Sequence, residues 1–145
     1  MMLKLVVKGV PQPKQSARFR IVKGKGKEFV QSYQSKEVVE NERNIAFDIK
    51  SQLPLDFVPF SKAIGMKAIF VFPPLSSWPK KKIQELSQGA IIFKDTKPDL
   101  TDNLMKGLCD AMSGIVFIDD AKIAEVKTRK IYGFIPRIEI EFYEL

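Results

Sequence analysis

Ile64-Gly65-Met66-Lys67-Ala68-Ile69-Phe70-Val71-Phe72, stopped by Pro73-Pro74, reads as a strong strand. The run is built around Ile69-Phe70-Val71-Phe72, whose β-branched and aromatic side chains favour a strand. The pattern before it is helical. Ser35 can cap, Glu37 lies in the first turn, and Val38, Ile45, Ile49 and Leu53 recur near helical spacing until Pro54 ends the run. After the strand, Ser76-Ser77-Trp78-Pro79-Lys80-Lys81-Lys82 offers a cap, a proline for the first helical position and a short basic helix closed by Gly89.

Working outward, residues 3–7 read as a strand ended by Gly9, Pro11 and Pro13. Residues 18–33 read as a hairpin with a Lys23-Gly24-Lys25-Gly26-Lys27 tip. A short apolar run occupies 90–93, and two final strands are predicted over 122–132 and 137–143. Strand pairs joined by hairpins, mixed with single helices, predict an α+β fold with one mixed β-sheet packed against helices. At 145 residues the chain fits one domain with a single core, spanning 1–145.

Composition narrows the chemistry. The chain has no histidine and one cysteine, which excludes histidine bases, His-based zinc sites and an internal disulfide. Any catalysis must use carboxylates, lysine or a bound metal, and Cys109 reads as a small core residue. No apolar run is long enough to span a bilayer and the start is too short and charged for a secretory signal, so a soluble cytoplasmic protein is expected. The net charge is +7, yet residues 1–27 hold eight basic groups and no acid, so the excess sits at that end. Such a segment attracts polyanions, with nucleic acid, anionic membranes and plain solubility as competing readings.

The chemistry-bearing stretch runs Lys97-Pro98-Asp99-Leu100-Thr101-Asp102-Asn103-Leu104-Met105-Lys106-Gly107-Leu108-Cys109-Asp110-Ala111-Met112-Ser113-Gly114, then Ile115-Val116-Phe117-Ile118-Asp119-Asp120. A helix over about 102–113 is predicted, with Leu104, Leu108, Ala111 and Met112 on one side. Asp102, Lys106 and Asp110 fall within about 80° of one another on the other side. Asp119 and Asp120 follow an apolar run that returns toward the core, so several carboxylates can converge. Converging carboxylates repel unless a hard cation such as magnesium neutralises them; such ions serve phosphodiester hydrolysis, and a nearby lysine can stabilise developing charge. Each acid also has an ordinary alternative as a helix cap, a dipole partner, an i,i+4 ion pair or a solvated turn.

The pattern Lys-Pro-Asp, Asp-Asn-Leu, Lys, Asp-Ala, Gly-Ile-Val-Phe, Asp-Asp, with Lys130 and Tyr132-Gly133 after it, resembles the signature of the RusA family of Holliday-junction resolvases. Gly9-Val10-Pro11-Gln12-Pro13-Lys14 with Arg18-Phe19, and Ser77-Trp78 with Lys80-Lys81-Lys82, resemble family features in the right order. The resemblance implies a small homodimeric endonuclease, often encoded by prophages, that uses magnesium (manganese as a substitute) to nick four-way DNA junctions for recombination and repair. Carried over, its metal-binding acids fall on Asp99, Asp102 and Asp120, and its essential lysine on Lys106. The first two acids are commonly one residue apart in the family, whereas Leu100-Thr101 separates them here. If that segment turns helically, an i,i+3 step still brings both carboxylates to within about 60°. Asp110, two turns along, is expected to lie too far away to share the ion.

The basic finger, comprising Lys14, Arg18, Arg20, Lys23, Lys25 and Lys27, reads as a nucleic-acid-binding element that contacts phosphates. Trp78 reads as packing more than as a base-stacking platform. Two other functions remain open: a protein that grips branched DNA without cutting it, and a metal-dependent nuclease acting on flaps or RNA.

Overall fold

The computed structural model describes residues 2–14, 18–24, 26–33 and 35–145, with the side chains of Arg18, Phe19 and Ser32 left aside. Lys25 and the Arg18 side chain therefore lie outside the described residues. The strand predicted over 64–72 forms as β4, following β1 (Met2–Lys8), β2 (Arg18–Gly24) and β3 (Lys27–Tyr33). β4 (Ile64–Phe72) is buried along almost its whole length, which is why its sequence is apolar at successive positions rather than alternating. It pairs in parallel with β5 (Ile123–Tyr132) and antiparallel with β6 (Arg137–Glu144), while β1 closes the far side of β6. The strand order is β1-β6-β4-β5.

Helix α1 (Lys36–Gln52) begins where Ser35 Oγ accepts a hydrogen bond from the Val38 amide. Its buried stripe of Val38, Ile45 and Ile49 is the one expected, and the helix packs on β1 and on α3 (Lys106–Met112). α2 (Lys80–Ser87) starts one residue later than predicted: Pro79 is its N-cap and no side chain caps it. Gly89, at φ +91°, closes it with the Ala90 amide donating back to the Glu85 carbonyl at 3.1 Å. No helix among the described residues is long and apolar enough to cross a bilayer.

Two predicted features differ, and the apolar run over 90–93 is resolved. The mixed sheet has four strands, and β2–β3 forms a separate two-stranded sheet. The run over 90–93 is no strand; it lies beside β5, where the Tyr132 amide donates to the Ile92 carbonyl and the Lys94 amide to the Lys130 carbonyl. The last two strands do not form a hairpin, because residues 133–136 carry the chain across the end of β4 and deliver β6 to its other side. Gly133 makes that crossing possible: its amide donates to the Phe72 carbonyl at 2.9 Å, and a Cβ there would lie 2.6 Å from Val71 Cγ1. Short loops between consecutive strands favour pairing, and here the chain crosses instead, with Gly133 packed tightly over Val71.

Candidate active site

The acidic segment enters from β5's side. Lys130 on β5 donates to the carbonyls of Thr96 at 2.6 Å and Pro98 at 2.8 Å, which fixes the chain just before Asp99. Asp99 is extended and caps a π-helical turn, Leu100–Met105, in which the Leu104 amide reaches the Asp99 carbonyl at 3.0 Å; α3 follows directly. The predicted single α-helix is thus a π turn plus an α-helix. Leu100, Leu104, Leu108 and Met112 all meet the core at steps of four, and each such step overshoots an α turn by about 40°. The wider π turn takes up part of the overshoot at its start.

At the other end, Gly114 sits at φ +82° and lets the chain return through buried Val116 and Phe117 to Asp119 and Asp120. Asp119 caps a 3-10 turn, Asp120–Lys122, by accepting from the Ala121 amide at 2.9 Å. That amide, and then the neighbouring Asp120 carboxyl, holds Asp119 below the usual carboxylate range. Asp120 is pushed the other way, first by sharing a hydrogen bond with Asp119 and further by the charges of Asp119 and Asp110. Lys106, Cys109 and Asp110 from α3 face Asp120 and Ile123 across one shallow, open depression. Burial pushes the Cys109 thiol up to about 11, with Asp110 and Asp120 adding to it, so it is a poor nucleophile near neutral pH.

Of the sequence-predicted site, the fold brings Lys106 and Asp120 together. Asp99 and Asp102 do not line this depression, and Asp102 is exposed on the π turn. Among the described residues, no three acidic or cysteine side chains stand close enough to hold one metal ion. Asp110 is the residue sequence reasoning set aside: it shares the depression because the wall opposite α3 is the Asp120 turn, not the Asp99 cap. Its i,i+4 relation to Lys106 was a usable signal.

Lys14 belongs elsewhere than in the basic finger. Its side chain is 13% exposed, and its ammonium pairs with Glu42 of α1 and, at 2.8 Å, with Asp110 of α3. Burial disfavours its charge, yet the two carboxylates outweigh burial and raise its pKa above the ordinary lysine value. Its backbone is clamped as well: the Lys14 amide donates to the Asn103 carbonyl and Asn103 Nδ2 to the Lys14 carbonyl, against Gly107, where a Cβ would come within 3.1 Å of Lys14 Cβ. Lys14→Met is expected to leave Glu42 and Asp110 uncompensated and to cost about 1–2 kcal/mol, discounted because both acids are partly exposed, with Lys14→Arg losing less. Equal urea midpoints for Lys14→Met and the parent would rule that role out.

In the hairpin, Arg20 Nε donates to Gln31 and its guanidinium lies 5.2 Å from the Tyr33 ring centre, while Lys23 stands 3.8 Å from Glu28. Lys27 is exposed.

The family model described as endodeoxyribonuclease RusA matches residues 9–143. The chain belongs to the RusA family. Among curated proteins, this RusA-family chain is similar to the uncharacterized protein YqaN of Bacillus subtilis (strain 168), 33% identical over 72 residues. That match covers 50% of each chain, so it spans about half the length of the relative. The RusA match takes in the Lys14 clamp, the acidic segment and the crossing at Gly133 within one unit.

Proposed function

We propose that the protein is a structure-selective DNA endonuclease that resolves four-way (Holliday) junctions by paired nicks, acting in the cytoplasm as a homodimer. The reading is carried by one observation: in a chain of the RusA family, the acidic segment folds so that Lys106 and Asp120 face each other across an open, solvent-accessible depression. A shallow site suits a wide polymer better than a small metabolite. Paired cuts related by a two-fold axis call for two copies of one site.

Magnesium, with manganese as a substitute, is the ion the donors suit, since carboxylate oxygens are present and histidine is absent. Asp120 is the proposed ligand at the depression, and Asp99 and Asp102, which lie outside it, are proposed as the further ligands that the family pattern implies. The fit rests on donor chemistry and on the crowding of acidic charge at Asp120, not on a closed cage. Such a cage is not required, because magnesium is commonly held by one or two carboxylates plus substrate phosphate. When bound, the ion would activate water and neutralise charge on the phosphate. Lys106, exposed at the first position of α3, would place its ammonium against charge developing on the phosphate or the leaving oxygen. Arg20, Lys23 and Lys27, with Arg18 and Lys25, would meet the DNA backbone.

Labelled four-way, flap and linear DNA incubated with the protein in magnesium or EDTA tests the reading. Symmetric nicks in the four-way substrate, dependent on magnesium, are expected, with sedimentation as a dimer at micromolar concentration. Tight junction binding with no cutting in magnesium would instead make the protein a branched-DNA binder, and cutting confined to flaps or RNA would reassign the substrate.

A further inference from the structure

Averaged over residues 28–145 the charge is close to balanced, but the fold concentrates lysines at one place. α2 carries Lys80, Lys81 and Lys82; the segment leading to Asp99 carries Lys94 and Lys97; β5 brings Lys130 beside them. Glu85 and Asp95 are the acids of the same two segments, and neither forms an ion pair with these lysines.

The lysines are instead held by groups that do not cancel their charge. Lys82 Nζ lies 4.1 Å from the Trp78 ring centre, and Lys94 Nζ lies 5.2 Å from both the Phe72 and Tyr132 ring centres. Lys94 also reaches Thr96 Oγ1 at 2.9 Å, on the residue whose carbonyl Lys130 holds. Lys80 and Lys81 are exposed on the first turn of α2. Trp78 meets Tyr132 edge-on at 4.6 Å and has Lys82 over its ring, so it packs and is not offered to a base.

We propose that Lys80, Lys81, Lys94 and Lys97 form a second surface for the phosphate backbone of DNA, beside Asp99 and additional to the basic hairpin. This rests on the nuclease reading above. The partner is the sugar–phosphate chain, because clustered ammonium groups neutralise backbone phosphates without regard to sequence. A branched substrate presents more than one duplex arm. The acidic segment is reached by a basic element from each end: at Asp99 from the α2 side, and at Asn103 and Asp110 from Lys14, which leads to the hairpin.

The test measures affinity for a labelled four-way junction across a salt series for the parent, for Lys80→Gln/Lys81→Gln, and for Lys50→Gln/Lys62→Gln, which removes equal charge elsewhere. The slope of log affinity against log salt is expected to fall by about 1.8 for the α2 pair, at about 0.9 per lost phosphate contact, and to stay unchanged for the second pair. A parent that binds and cuts junctions while the α2 pair leaves its slope unchanged overturns this surface alone. Equal falls for both pairs overturn it too, as a field effect of net charge. A parent that binds no DNA overturns the nuclease reading along with it.

Discussion

Asp120→Asn is expected to lower magnesium-dependent cleavage on the order of 10³-fold while preserving or tightening junction binding. The asparagine keeps the size and one oxygen but removes the charge proposed to hold the ion, and it also removes a negative charge that faces incoming phosphate. Asp99→Asn and Asp102→Asn are expected to behave alike. Lys106→Ala should lower the rate more than the affinity, because its proposed role is in the transition state. Asp110→Asn should lose less than Asp120→Asn, and part of its loss should appear as stability, since it also releases Lys14. Single-turnover cleavage beside equilibrium binding separates the cases. Near-normal cutting by Asp99→Asn alone would mean that Asp119 or water takes its place; normal cutting by all three would sink the nuclease assignment.

Gly133→Ala is expected to be the most disruptive single-methyl change in the sheet, costing about 2–3 kcal/mol and lowering the melting temperature by about 5–10 °C. The new Cβ would stand 2.6 Å from Val71 Cγ1. Val71 is 1% exposed on the central strand, and its branched side chain is restricted at χ1 with the core packed around it, so moving it is costly. Gly65 offers a useful contrast: a Cβ there would come still closer, 2.1 Å, but to the ring of Tyr143, which is only partly buried and can swing off the sheet. Adding Val71→Ala to Gly133→Ala should return part of the loss in a double-mutant cycle. Identical melting of Gly133→Ala and the parent would show that the crossing loop relaxes freely.

What was legible in the sequence follows from how local the cause is. α1, β4 and the buried Leu104, Leu108, Ala111 and Met112 stripe are dictated by neighbours within a few residues, so periodicity and caps reveal them. The placement of β6 between β1 and β4 depends on a contact between Gly133 and a strand 62 residues earlier, which no window detects. The site divides the same way. Lys106 and Asp120 could be named from their pattern, and Asp110 from its helical step. The capture of Lys14 by Glu42 and Asp110, at separations of 28 and 96 residues, could not. The sequence showed the basic end of the chain and the Lys80-Lys81-Lys82 helix, but not that the fold sets Lys94 and Lys130 beside that helix.

The position of β6 also bears on how the molecule is made. Of the strands in this sheet, the one made last is not an edge but the one that joins β1 to the rest of the sheet. Until residues 137–144 leave the ribosome, β1 has no partner and one side of β4 is open, with Leu5, Val7, Met66 and Phe70 lacking their final cover. Nearly every pairing in the sheet joins distant parts of the chain, which slows folding and withholds its reward until the end. Closure should therefore be a single late event, with a nascent chain stalled before residue 137 remaining protease-sensitive throughout its sheet rather than protected strand by strand.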